Sequence, residues 1–298
     1  MSQRQLDTVI QDIQSCFGAW NKDTSLSQMR EEWDALFSMH PSGIGATRQI
    51  VDAGGARAEW IVAPGASDER VVMYVHGGGY VFGSPRSHGA LAEQLSHDAQ
   101  ASVLFVDYRL APEHPFPAAI EDATGAYRWL LAQGYSPKRI AIAGDSAGGG
   151  LSLSTMVSLK EASLPQPACS VLMSPWVDLE CSGETLISQA AEDPYVQRDM
   201  LAQLVGMYLP KGNVRDPLAS PLFADLSGLP PTLIQVGSRE TLLDDAVRVA
   251  GNARRAGVTV ELDICQGMIH VFQLFCARLD EGRAAVARLG AHVRRHTG

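Results

Sequence analysis

Short apolar runs rich in valine and isoleucine recur along the chain, at Glu59–Val62, Val71–Val75, Val103–Val106, Ile140–Ala143, Val171–Met173, Thr232–Val236 and Val258–Ile264. Glycine, proline or aspartate bounds most of them, as in buried strands. From the third run onward helical periodicity fills the gaps, at Ala118–Gln133, Ala147–Glu161, Leu242–Ala256 and Leu279–Arg295. Strand–helix alternation predicts an α/β fold, a mainly parallel sheet with helices on both faces.

Two segments break the alternation. Ser2 to Gly45 predicts two amphipathic helices, with Trp20, Trp33, Leu36, Phe37 and Met39 among their apolar residues. Glu184 to Lys211 is also helical in pattern and carries Tyr195, Val196, Leu201, Leu204, Met207 and Tyr208. Neither follows a strand of the parallel series. Together they predict a lid over the C-terminal edge of the sheet, where α/β proteins keep their sites. The chain thus divides into a first cap segment (1–45), a first core segment (46–183), a second cap segment (184–211) and a second core segment (212–298).

A length of 298 residues suits such a fold, and 46% hydrophobic with 19% charged residues excludes a disordered chain. The net charge of -9, with no basic run, argues against a nucleic-acid partner and against stable association with anionic membranes. The five cysteines, Cys16, Cys169, Cys181, Cys265 and Cys276, include no C-x-x-C pair and read as reduced thiols. Residues 1–20 lack the apolar stretch of a secretory signal, and no run is long enough to cross a membrane. A cytoplasmic protein is expected.

The chemistry lies in loops after the predicted strands. Gly144-Asp145-Ser146-Ala147-Gly148 matches G-x-S-x-G and sits between a strand and a helix, the setting of a nucleophile elbow. Its glycines relieve a tight turn that lifts the Ser146 hydroxyl clear of the sheet. His76-Gly77-Gly78-Gly79-Tyr80 follows the strand Val71–Val75. Inward-turned glycine amides suit an oxyanion, and Gly77, Gly78 and Ala147 are the expected donors, with His76 bracing the loop.

A serine nucleophile needs a base and an orienting carboxylate, in the α/β-hydrolase chain order serine, acid, histidine. Five of the eight histidines precede Ser146, and His292 and His296 fall in the last helix. That leaves His270, in a loop after the last predicted strand. The acid should follow Thr232–Val236. Glu240 lies in that loop and is favoured for its reach, while Asp244 and Asp245 open the next helix and are the alternatives.

Together with Asp107-Tyr-Arg-Leu-Ala-Pro-Glu-His-Pro-Phe-Pro-Ala118 and the Ile269-His270-Val271 loop, these motifs resemble the hormone-sensitive lipase family of α/β-hydrolases, or bacterial family IV esterases. The resemblance spans about Val71 to Phe272. It implies an eight-stranded, mainly parallel α/β-hydrolase sheet, a helical cap, and hydrolysis of carboxylic esters without metal or cofactor. Two positions depart from the pattern. Glu240-Thr241-Leu242 stands where Asp-Pro-Leu is usual, and Phe272 where tryptophan is often found. Arg109 and Glu113 are expected to order the loop beside the glycines as a charge pair.

The expected enzyme is a serine carboxylesterase for short- to medium-chain acyl esters, about C2 to C8, in a closed apolar pocket. Tyr80, Phe82, Trp176, Tyr195, Met207 and Phe272 are its candidate walls. A lactonase or an arylformamide-type amidase could use the same triad. A receptor role is disfavoured because plant gibberellin receptors, which resemble this family, lack the histidine found here at His270. A homodimer is expected through the edge strand Val258–Ile264 or the last helix.

Overall fold

The computed structural model describes residues 2–298. Helix α1 (Gln3–Gly18) buries Leu6, Val9 and Ile13, the three-and-four spacing of an amphipathic helix. Helix α2 (Leu26–Ser38) starts at Ser25, whose hydroxyl accepts from the Gln28 amide at 3.2 Å, and it buries Trp33, Leu36 and Phe37. These are the two helices the N-terminal pattern predicts.

Next come β1 (Thr47–Asp52), β2 (Arg57–Val62), β3 (Ser67–Val75), α3 (Gly89–Ala99), β4 (Ala101–Val106), α4 (Ala118–Ala132), β5 (Ile140–Asp145), α5 (Ala147–Glu161) and β6 (Cys169–Met173). Then follow α6 (Thr185–Ser188), α7 (Arg198–Tyr208), β7 (Thr232–Gly237), α8 (Leu243–Arg255), β8 (Val260–Cys265) and α9 (Asp280–Thr297). The strands form one eight-stranded sheet in the order β1-β2-β4-β3-β5-β6-β7-β8. Strand β2 pairs antiparallel with both β1 and β4, and β3 to β8 are mutually parallel. Helices α3 and α9 pack on one face, and α4, α5 and α8 on the other. This is the α/β-hydrolase architecture.

Strand β1 and helix α3 carry no apolar run that announces them. All of β1 except Val51 is exposed, so its pairing with β2 holds it without a buried face. The buried side of α3 mixes Leu91 and Leu95 with the small Ala92, Ser96 and Ala99, and Gly290 of α9 lies directly against its Asp98–Ala99 backbone. The stretch 184–211 is also less helical than its pattern suggests. Residues 189–197 separate α6 from α7 and are neither helix nor strand. Among the described residues, no helix is long and apolar enough to cross a membrane.

Candidate active site

The parallel strands all present their carboxyl ends to the same edge, and four of the loops there meet. Strand β5 runs into Ser146, which has φ 50 and ψ −121. This strained backbone is fixed from both sides: the Ser146 amide donates to Met173 O (2.8 Å), and its carbonyl accepts from Trp176 N (2.9 Å) and Gly150 N (3.1 Å). The flanking glycines answer to close approach. A Cβ at Gly144 would overlap Gly148 O, and one at Gly148 would overlap the carbonyls of Val75 and His76. The turn therefore fits only without side chains there.

The loop after β8 places His270 Nε2 3.0 Å from Ser146 Oγ, and the loop after β7 places Glu240 Oε2 2.6 Å from His270 Nδ1. Glu240 is fully buried and His270 is 2% exposed. Glu240 Oε1 also accepts from Ser174 Oγ (2.8 Å) and from the Gly237 amide. Ser174 in turn accepts from Val271 N at 3.1 Å, so one hydroxyl joins the loops of the acid and the histidine. Sequence reasoning misses Ser174, whose only local mark is its place at the end of β6. Burial disfavours the charged imidazole, but Glu240, with smaller help from Asp193 and Asp145, holds the His270 pKa above the ordinary 6.5.

The other candidate acids are committed elsewhere. Asp244 Oδ2 accepts from the amides of Glu184 and Thr185 at the start of α6. Asp245 accepts from the amides of Val177 and Asp178 and pairs with Arg248. His76 makes no hydrogen bond to Ser146, and burial lowers its pKa to about 3. Its Nδ1–H donates to Gly77 O at 2.7 Å, bracing the loop as expected.

Gly77 departs from expectation. Its amide, expected to face an oxyanion, donates to Asp145 Oδ1 at 3.0 Å, because the carboxylate at the end of β5 lies directly beneath the loop. Within the described residues, the amides of Gly78, Gly79 and Ala147 make no hydrogen bond. Gly78 and Gly79 have positive φ and line the pocket beside Ser146. Gly79 rather than Gly77 is thus the second free glycine donor.

Asp107–Ala118 braces this loop, although not by the expected charge pair. Arg109 binds Asp122 and Glu121, and Glu113 binds Arg30 of α2. The two are separate because each faces a different helix. Arg30 also donates to Val81 O and Ala111 O, both at 2.8 Å. Tyr108 stacks on His76, with ring centroids 4.2 Å apart, and donates to His76 O at 2.7 Å.

The pocket over Ser146 is small, a cavity of about 30 Å³. Of the six candidate walls, Trp176 and Tyr195 line it. Tyr80, Phe82, Met207 and Phe272 do not. Tyr80 stacks flat on Tyr208, and Phe82 is sandwiched between Trp20 and Trp33. Met207 lies off the stripe by which α7 meets the site, which is made by Met200, Leu201 and Leu204. Phe272 is buried below the loop, where Val271 and Leu274 form the wall instead. Trp33 of α2, Val196, Asp145 and His270 complete the lining. The periodicity of α2 and α7 marked their apolar faces but not which residues would reach the serine. Among the described residues no cluster of three or more metal-ligating side chains forms.

A family model of the alpha/beta hydrolase fold matches residues 72–274. An acetyl-hydrolase of Streptomyces hygroscopicus is 45% identical over 249 residues, covering 84% of this chain and 83% of that protein. An esterase of Acinetobacter venetianus is 39% identical over 260 residues, covering 87% and 86%. The crystal structure of an esterase from the bacterial hormone-sensitive lipase family superposes with a TM-score of 0.97 at 44% identity, covering 99% of both chains.

Proposed function

The chain belongs to the bacterial hormone-sensitive lipase family of α/β-hydrolases, and on that premise we propose that it is a serine carboxylesterase acting on short- to medium-chain acyl esters. The observation that carries the reading is the unbroken path Glu240–His270–Ser146, 2.6 and 3.0 Å long, beside three unpartnered amides. His270 Nε2 takes the Ser146 proton as Oγ attacks the ester carbonyl. Glu240 holds the ring through Nδ1–H and stabilises the imidazolium. The amides of Gly78, Gly79 and Ala147 receive the oxyanion, each donor lowering the barrier by about 3 kcal/mol. His270 then gives the proton to the departing alcohol, and water cleaves the acyl-enzyme by the same steps.

The tight apolar pocket supports a small acyl group. Its roof comes from α2, 189–197 and α7, which supports treating 1–45 and 184–211 as a cap on the core formed by 46–183 and 212–298. The names of the acetyl-hydrolase and esterase relatives point to the same bond.

The test is hydrolysis of p-nitrophenyl esters from acetate to palmitate by the wild type and Ser146→Ala. A short-chain optimum that vanishes in the variant is the expected result. Turnover that survives in Ser146→Ala, or a folded wild type inert to every ester, would overturn the proposal.

A further inference from the structure

Residues 189–197 form no regular element, yet they are tied to both loops that carry Glu240 and His270. Asp193 is 4% exposed. Its Oδ1 accepts from the amides of Tyr195 (3.1 Å) and Val196 (2.9 Å), within the segment itself. Its Oδ2 crosses to the residue after Glu240, accepting from the Thr241 amide (2.8 Å) and within reach of its hydroxyl (3.1 Å). Two residues on, the Tyr195 hydroxyl donates to His270 O at 2.9 Å. The Tyr195 ring also meets the imidazole edge-on, with centroids 5.6 Å apart. Tyr195 and Val196 are pocket wall as well.

A turn-forming aspartate needs only one oxygen for its own loop. Here both oxygens are used, on chain segments 48 residues apart. A buried carboxylate is expensive unless its donors are complete, and these donors are complete only while 189–197 lies against the Glu240 loop. An asparagine offers one acceptor oxygen and would turn an NH2 toward one set of donors.

We propose that Asp193 and Tyr195 are positioning residues that couple the seating of the 184–211 segment to the alignment of Glu240 and His270, so that the pair is in register with Ser146 only while that segment covers the pocket. This rests on the triad assigned above. Glu240 after β7, Ser146 after β5 and Tyr195 from this segment contact the His270 ring, and the charges of Asp145 and Asp193 also act on it. Burial opposes the charged ring, and Asp193 adds to the opposing effect of Glu240. Removing the Asp193 charge at constant shape therefore makes the ring less basic.

The experiment is the pH profile of p-nitrophenyl acetate hydrolysis for the wild type, Ser146→Ala, Tyr195→Phe and Asp193→Asn, with thermal unfolding of each. Tyr195→Phe keeps the wall and deletes one hydrogen bond. Its kcat is expected to fall about three- to tenfold, with KM held within about twofold. In Asp193→Asn, kcat should fall by about tenfold or more and the acidic limb should move to lower pH. An unchanged kcat in Tyr195→Phe, or an effect confined to KM, overturns the proposal; so does a folded Asp193→Asn with an unmoved acidic limb. Should Asp193→Asn fail to fold, the kcat and KM of Tyr195→Phe decide alone. Activity that survives in Ser146→Ala would instead overturn the triad assignment.

Discussion

The amide of Gly77 donates to the buried carboxylate of Asp145 at 3.0 Å, tying the glycine loop after β3 to the strand that ends at Ser146. The same carboxylate accepts from the Tyr74 hydroxyl and from His88 Nε2. The residue beside Ser146 thus holds the loop whose Gly78 and Gly79 amides are free, while also lining the pocket.

Asp145→Ala would leave the Gly77 amide and the Tyr74 hydroxyl buried without an acceptor. Urea unfolding is expected to show a loss of about 3–5 kcal/mol. Burial opposes the Asp145 charge, but His88 and Tyr74 more than compensate, and its pKa lies below the ordinary 3.8. Its stabilisation is therefore present above pH 3.8 and lost as pH falls through the lower folded value. A variant as stable as the wild type at neutral pH would contradict this role. Gly77→Ala should be comparably damaging, because its Cβ would overlap that carboxylate.

Glu240→Gln and Asp244→Asn should separate cleanly in kinetics. The first keeps the shape but loses the charge that orients His270, and a fall in kcat of about a thousandfold or more is expected. The second weakens the hold on the α6 amides, at about 1 kcal/mol of stability with kcat nearly intact. The reverse pattern would make Asp244 the acid.

His270 must be neutral to accept the Ser146 proton. Its raised pKa means that kcat/KM should rise with pH through a midpoint above 6.5. The stability linkage has the opposite sense. The fold favours the charged ring, so that contribution is present below pH 6.5 and is lost as pH rises through the folded value. A kinetic midpoint below 6.5 in the wild type would contradict the pairing with Glu240.

Leu204 of α7 packs so closely on Gly79 that a Cβ there would overlap its methyl group. Leu204→Ala opens the pocket directly above the free glycine amides. The p-nitrophenyl ester optimum should move to longer acyl chains, while thermal or urea unfolding reports a loss of about 2–4 kcal/mol. An unchanged chain-length profile would show that the acyl group lies elsewhere.

Much of this protein was written in local pattern. Seven of the eight strands and the helices α4, α5, α8 and α9 were legible because buried strands need apolar runs and amphipathic helices need a stripe. Ser146 was legible because a strained turn demands glycine at fixed spacing, and His270 because chain order removed five histidines and the last helix claimed the other two. What depended on tertiary contact could not be read this way. Gly77 and Gly79 are identical in sequence; only the Asp145 carboxylate beneath the loop decides which amide is spent and which is free. Glu240 and Asp244 are both carboxylates after one strand, and only the distance to His270 separates them. Asp193 looks like a turn residue until its second oxygen meets Thr241. Hydropathy and spacing act along the chain over a few residues, whereas a hydrogen bond is decided by which distant segment arrives within about 3 Å.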